Sequence, residues 1–409
     1  MNNRFFTRAA LSAMLCVIAG CASPQATSDA VLTNAGSDVT AQETTSSLAR
    51  HVDRRAAYET GLAFLIGHQN ADGSWGTFES SRPYEIYRGT VASFRAFRDA
   101  TSALCVMALI EPSRENEAAW SALVRGVDFL IAAEPVGRAT PDAFYDTWTL
   151  TYGLRAYAHL YMDDRFADRR EELAKAITGT IDLLARRQGA DGGWGYYDFG
   201  QSLERPSGLM SNSFNTASVL LAFDDAMRAG FEVNSAMIRD SLRCVERLRL
   251  PSGAFIYGTG HRWMPGANFN QVKGSLARSQ PCNLALWVFK RDISKDQIKQ
   301  SLNDLRSHHH FLTIAYGRPR PHEAWYQNSG YYFYYGHFYA ATIAHALDAA
   351  AAREFLDWQS QMVANLQNAD GSWYDFPMYG YHRAYGTAYA LMILREAWNY
   401  PTLASVQSH

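Results

Sequence analysis

The sequence predicts an all-α fold, an (α/α)6 toroid in which six helical hairpins close into a double ring behind an export signal and a flexible tether. Three observations predict it. A turn motif recurs, its copies lie near multiples of about sixty residues, and one-faced helices alternate with wholly apolar ones.

The chain divides into a lipoprotein signal peptide (1–20), a lipidated cysteine and linker (21–50), the toroid (51–400) and a short tail (401–409). Arg4 and Arg8 flank the start of a small apolar run over 9–19, the pattern of an export signal and too short to span a bilayer. Ile18-Ala19-Gly20-Cys21 resembles the bacterial lipobox, so cleavage before Cys21 leaves a lipidated cysteine that holds the protein at a membrane. The competing reading is an ordinary signal peptide with an incidental cysteine. Ala22, not being acidic, points to the outer membrane as the destination in the cell envelope. Residues 22–50 are rich in Ser, Thr, Ala and Gln without apolar periodicity and read as a tether. No later run of about twenty apolar residues occurs, which predicts a soluble body.

A composition of 47% hydrophobic and 13% aromatic residues at a formal charge of -2 can bury a large core. With Arg and Lys scattered among acids, nucleic acid is excluded as a partner. Beyond Cys16 and Cys21 only Cys105, Cys244 and Cys282 remain, so at most one disulfide can form in the body.

The repeated segments are Gln69-Asn70-Ala71-Asp72-Gly73-Ser74-Trp75, Gln188-Gly189-Ala190-Asp191-Gly192-Gly193-Trp194 and Gln367-Asn368-Ala369-Asp370-Gly371-Ser372-Trp373. Trp75 and Trp194 are 119 residues apart and Trp194 and Trp373 are 179 apart, which calls for degenerate copies between them. Gly253 with Phe255, then Tyr316-Gly317, fall at further steps of 61, and the most eroded copy lies near 134–142. In each motif Asp caps the turn, Gly takes a positive φ, and Trp fills the gap between hairpins. Before the turns, 57–68, 173–187 and 355–367 are amphipathic helices suited to an outer ring. After the turns, 100–109, 147–160, 216–223, 282–289, 338–347 and 387–394 are apolar almost all round and suit an inner ring.

Gln-x-x-x-Gly-x-Trp turns between helical hairpins resemble the repeat of the squalene cyclase and protein prenyltransferase superfamily, over about residues 52–400. That resemblance implies a terpenoid cyclase-like toroid with a central cavity for a polyprenyl or other hydrophobic small molecule. The cyclases' Asp-x-Asp-Asp motif is absent: Asp163-Asp164 and Asp224-Asp225 have Tyr161 and Ala222 in its first place. Gln280-Pro281-Cys282 and Tyr381-His382-Arg383 resemble the prenyltransferase zinc elements, with Gln280 where that family has Asp. Cys282 and His382 are thus candidate zinc ligands, two of the three that a catalytic zinc usually has. The alternative is a small buried thiol and a hydrogen-bonded imidazole.

In a closed ring, residues just before each inner helix converge on one mouth of the cavity. Those positions hold Arg98 and Asp99, Tyr145 and Asp146, Asn212 and Asn215, Arg278 with Gln280, Tyr335 and His337, and 381–385. His337, His382, Arg383, Tyr335, Asp146 and Asp99 are the catalytic candidates, since imidazole, phenol and carboxyl groups move protons. Tyr145, Asn215, Trp325, Tyr326, Tyr331, Tyr381 and Tyr385 are the ligand-binding candidates. The segment 321–337 is the densest in aromatic and titratable groups, including His322 and Glu323; it reads equally as a functional wall and as a loop packed over the mouth. His308-His309-His310 reads as a solvated helix end, the alternative being a metal site. Three functions follow: an enzyme or binder for a lipid-like ligand, a carbohydrate-active lyase or hydrolase, and a non-enzymatic envelope module that binds another protein.

Overall fold

The computed structural model describes residues 52–79, 91–134, 145–196 and 211–399. The export signal, Cys21 and the tether lie outside them, as does most of the eroded repeat copy. Among the described residues there are thirteen α-helices and no strand. Six outer helices, α1 (Arg54–Gly67), α3 (Glu117–Ala132), α5 (Arg170–Arg187), α7 (Ser235–Leu248), α9 (Lys295–Ser307) and α12 (Ala349–Asn365), alternate with six inner ones. The inner helices are α2 (Val91–Leu109), α4 (Asp146–Met162), α6 (Ser213–Arg228), α8 (Val272–Val288), α11 (Phe333–Ala344) and α13 (His382–Asn399); α10 (His310–Thr313) is a single turn between α9 and α11. Each inner helix packs on the next, and α13 returns to α2, closing the ring.

The two classes differ as their sequences require. In α7 only Met237, Ser241, Leu242, Cys244, Val245 and Leu248 are buried, one stripe of an otherwise polar helix. In α8 every residue from Gly274 to Leu286 is buried. Five outer helices begin with side-chain caps, from Asp53, Asn116, Asn234, Ser294 and Asp348, each satisfying backbone N–H groups at the helix start.

The repeated turn works as one device. Gln69 Nε2 donates to Gly73 O within its own turn and to Ala122 O on the next outer helix, both at 2.9 Å. Gln188 does the same with Gly192 O and Met237 O, and Gln367 with Gly371 O and Ala57 O. Since Ala57 lies in the first helix, the third copy straps the last hairpin to the first. Trp75, Trp194 and Trp373 are buried, each indole N–H donating to a carbonyl ten residues earlier, on Leu65, Leu184 and Val363. Gly73 and Gly192 have φ of 87° and 89°, and a Cβ there would sit 2.2 Å from Arg125 O and 2.5 Å from Asp240 O. Only glycine allows both the left-handed turn and the close approach of the neighbouring hairpin.

The inner helices begin earlier than the sequence implied. Arg98 and Asp99 lie within α2, and Arg278, Gln280 and Cys282 lie mid-way along α8, not in loops before their helices. Pro281, which reads as a breaker, is carried inside α8. The small residues that precede it allow close packing: a Cβ on Gly336 of α11 would stand 2.4 Å from the Cβ of Ala277. Cys105, Cys244 and Cys282 are free and buried. Among the described residues no helix is long and apolar enough to cross a membrane.

Candidate functional site

The ring encloses a cavity of about 400 Å³. Its wall comes from α2 (Phe97, Thr101, Leu104), α4 (Trp148, Tyr152), α6 (Phe214), α11 (Tyr335) and α13 (Tyr385, Tyr389), completed by Tyr145 and by the loops bearing Tyr196, Tyr257, His322, Tyr331, Tyr332 and Phe376. Trp148 with Tyr152 and Tyr385 with Tyr389 are spaced four apart, which puts both rings of each pair on one helix face, turned to the hollow. Among the described residues no Asp, Glu, Lys or Arg lines it, and His322 is its one imidazole.

The tyrosine hydroxyls are largely engaged within the protein. Tyr335 Oη meets Ser218 Oγ at 2.9 Å and donates to Phe214 O, Tyr196 meets Tyr257 at 2.7 Å, and Tyr152 is hydrogen-bonded to Tyr389. Burial pushes Tyr152, Tyr196, Tyr335 and Tyr389 well above the usual phenol range, so they stay protonated. His322 is held below its ordinary value by burial, its ring contacting Gln327 O, Ser329 Oγ and Tyr331 Oη. The segment carrying it is strained, with positive φ at His322, Tyr326 and Gln327.

Of the residues singled out from the sequence, Tyr145, His322, Tyr331, Tyr335 and Tyr385 line the cavity. The others serve elsewhere. Asp146 is paired with Arg187 of α5, and Asp99 accepts from Arg98 Nε at 3.2 Å while burial raises its carboxyl. Arg383 pairs with Asp370 in the third turn and donates to Ser372 Oγ. His382 Nδ1 contacts Tyr379 O, Tyr381 donates to Phe94 O, and Asn215 donates to Asn212 Oδ1. Trp325 is 70% exposed, and Tyr326 packs on Phe311 with Lys273 over its ring. Asp163 and Asp225, the near-misses to a cyclase acid, are held by Arg165 and Arg155.

His337 is buried under the wall, its Nε2 3.0 Å from His309 Nε2 and its Nδ1 2.9 Å from Gln359 Nε2. The three histidines do not all lie at a solvated helix end, as their sequence suggests. His310 is exposed, but His309 turns inward onto His337, Phe333 and Trp358, because α9 stops at Ser307 and the chain bends before α10. Zinc does not fit either: burial raises the Cys282 thiol, and among the described residues no three His, Cys, Asp or Glu side chains are grouped to hold a metal.

Sequence reading missed Trp148, Tyr152 and Tyr389, for which the aromatic spacing of four on inner helices was the available signal. It also missed Asp375. This carboxyl is 0% exposed, accepts from Tyr334 N at 2.9 Å and from Tyr385 Oη at 2.8 Å, and is raised to about 7 by burial, with those bonds acting the other way. It lies one ring behind the cavity.

Comparison with solved structures gives the fold independent support. Cellobiose 2-epimerase from Spirochaeta thermophila is 14% identical over 89% of this chain and 99% of that one, with a TM-score of 0.54. An inactive variant of an α-1,6-mannanase from Salegentibacter, in complex with α-1,6-mannotetrose, is 9% identical over 84% and 98%, with a TM-score of 0.50. The type II terpene cyclase MstE from Scytonema, in complex with geranylgeranyl dihydroxybenzoate, is 13% identical over 88% and 99%, with a TM-score of 0.49. No family model and no curated protein matches the sequence. At such identities likeness speaks to architecture, and in architecture the chain is an α/α toroid similar to the epimerase and the mannanase.

Proposed function

We propose that this toroid is an exported, lipid-anchored envelope protein that binds or processes a polyprenyl or other lipid-like ligand in its central cavity. The cavity wall carries the proposal. Its volume of about 400 Å³ is in the range of small-molecule sites, and its lining is aromatic on almost every side with no acid or base among the described residues except His322. Such a wall stabilises buried hydrocarbon by about 25 cal/mol per Å² removed from water and offers a charged substrate no partner along most of its length. Anchoring through Cys21 would hold the body beside the bilayer in which such ligands reside.

A second reading, a carbohydrate-active protein, is favoured by the likeness to the epimerase and the mannanase, together with tyrosine faces that can stack on sugars. The pair of carboxylates that glycoside hydrolysis uses is not in the described wall, so this reading predicts glycan affinity more readily than cleavage.

Mass spectrometry of the natively purified protein after organic extraction tests the choice. A prenyl or acyl compound is expected in roughly stoichiometric amount, reduced at least tenfold in Trp148→Ala. Recovery of no such compound, with binding on a glycan panel, would replace the first reading by the second. Cys21→Ser is expected to move the protein from the membrane to the soluble fraction of cells.

A further inference from the structure

The wall has one end unlike the rest. Every inner helix except α8 places side chains on the cavity surface. At α8 the corresponding residue, Arg278, stands one layer back, with its guanidinium over the rings of Tyr257 at 5.1 Å and Tyr332 at 5.5 Å, both of which face the cavity. Arg278 is 1% exposed. Among the described residues its one hydrogen bond is from Nη2 to Phe269 O, its Nε is buried without a partner, and no carboxylate is within ion-pair distance.

A buried cation without a counter-charge is costly, and two aromatic faces offset that only in part. Its field reaches the cavity surface, acting on Tyr257, Tyr332 and His322 and, for His322, adding to the effect of burial. Tyr332 supplies the second observation. The residue lines the cavity and is 2% exposed, and its hydroxyl, buried just beneath the surface against those of Tyr196 and Tyr257, makes no hydrogen bond of ordinary geometry among the described residues. A phenol held only by poorly aligned contacts to neighbouring phenols, beside an uncompensated guanidinium, is a donor that an anionic acceptor can recruit.

We propose that this end of the cavity receives the anionic head of an amphiphile, a carboxylate or a phosphate on an apolar chain, with Tyr332 donating to it and Arg278 supplying the opposite charge from behind the rings. This rests on the reading of the cavity as a site for a lipid-like chain. It adds an orientation: the head lies at the Tyr196, Tyr257 and Tyr332 cluster, and the tail runs along Trp148, Tyr152 and Tyr389.

The test measures dissociation constants of the full-length protein for palmitate, hexadecyl phosphate and hexadecanol, three ligands with the same chain. At least one anion is expected to bind tenfold or more tightly than the alcohol, and the tighter anion identifies the head. Arg278→Met is expected to bring that ratio close to one. If that variant fails to fold, Tyr332→Phe, which keeps the ring, is expected to narrow the ratio at least threefold. An alcohol that binds as tightly as both anions overturns the anionic head and leaves the lipid reading standing. A ratio unchanged in both variants also overturns it. Failure of all three ligands to bind removes the lipid reading and the anionic head together.

Discussion

Asp375 is a carboxyl group whose ionisation is opposed by burial. It accepts from Tyr334 N and Tyr385 Oη, and among the described residues no cation pairs with it. Its folded pKa of about 7 lies above the unfolded value near 4, so the unfolded chain releases this proton first as pH rises. The associated stability is complete below about pH 4 and is lost on the way to pH 7, a cost of roughly 4 kcal/mol. Asp375→Asn, an uncharged isostere, is expected to flatten that segment of the curve, with a melting temperature at pH 7.5 above that of the wild type. If the melting-temperature difference between Asp375→Asn and the wild type were the same at pH 5 and at pH 7.5, the group would be shown to ionise freely in the fold. No sequence pattern announces such a residue. Asp375 follows the third motif's Trp373 by two positions, where the first copy has Thr77 and the second Tyr196, so the repeat does not mark it. Its isolation from charge depends on where α11 and α13 place Tyr334 and Tyr385.

At the scale of elements, the contact of α9 and α10 with α11 and α12 contains the His309 and His337 pair. Burial lowers His309 to about 4, and His337 is pushed well down in the same way. Both fold as neutral groups, so the unfolded chain binds more protons below about pH 6.5 and stability declines as pH falls towards 4. His309 alone is expected to remove about 2 kcal/mol between pH 7 and pH 5. Urea titrations of the wild type and of His309→Leu at the two pH values isolate it: the stability of the wild type relative to the variant should fall by about that amount from pH 7 to pH 5. The Gln straps make a separate prediction. Gln188→Ala removes a buried side chain that holds Gly192 O, Met237 O and Ser241 Oγ, and should cost about 1–3 kcal/mol in a chemical denaturation curve. Helices and straps were legible in the sequence because periodicity and a repeated motif are local signals. Helix starts were not, since polar residues such as Arg98 and Gln280 are tolerated inside inner helices once a neighbouring element satisfies them, here Asp72 of the first turn and Ser301 of α9. The cavity lining was legible for Tyr145, Tyr331, Tyr335 and Tyr385, which lie near helix starts. It was illegible for Tyr196 and Tyr257, whose loops are placed only by the closed ring.

At the scale of the whole molecule, the ring is completed by contacts between its ends. Gln367 donates to Ala57 O across 310 residues, and Val52 N donates to Asn365 Oδ1 across 313. Removal of the last hairpin, α12 and α13, takes away Tyr385 and Tyr389 from the wall and exposes the flank of α2. The truncated protein is expected to lose ligand binding and to bind a hydrophobic dye, read by fluorescence. Closure between distant ends also sets an order of events. If the chain is threaded unfolded through an export channel, the first hairpins emerge long before their final neighbours, and no partial ring can hold a guest. Loading then belongs to the far side of the membrane, after the last helix has arrived, and such long-range closure is slow relative to the local formation of each hairpin. A refolding experiment would register this as fast recovery of helical signal followed by a later recovery of binding.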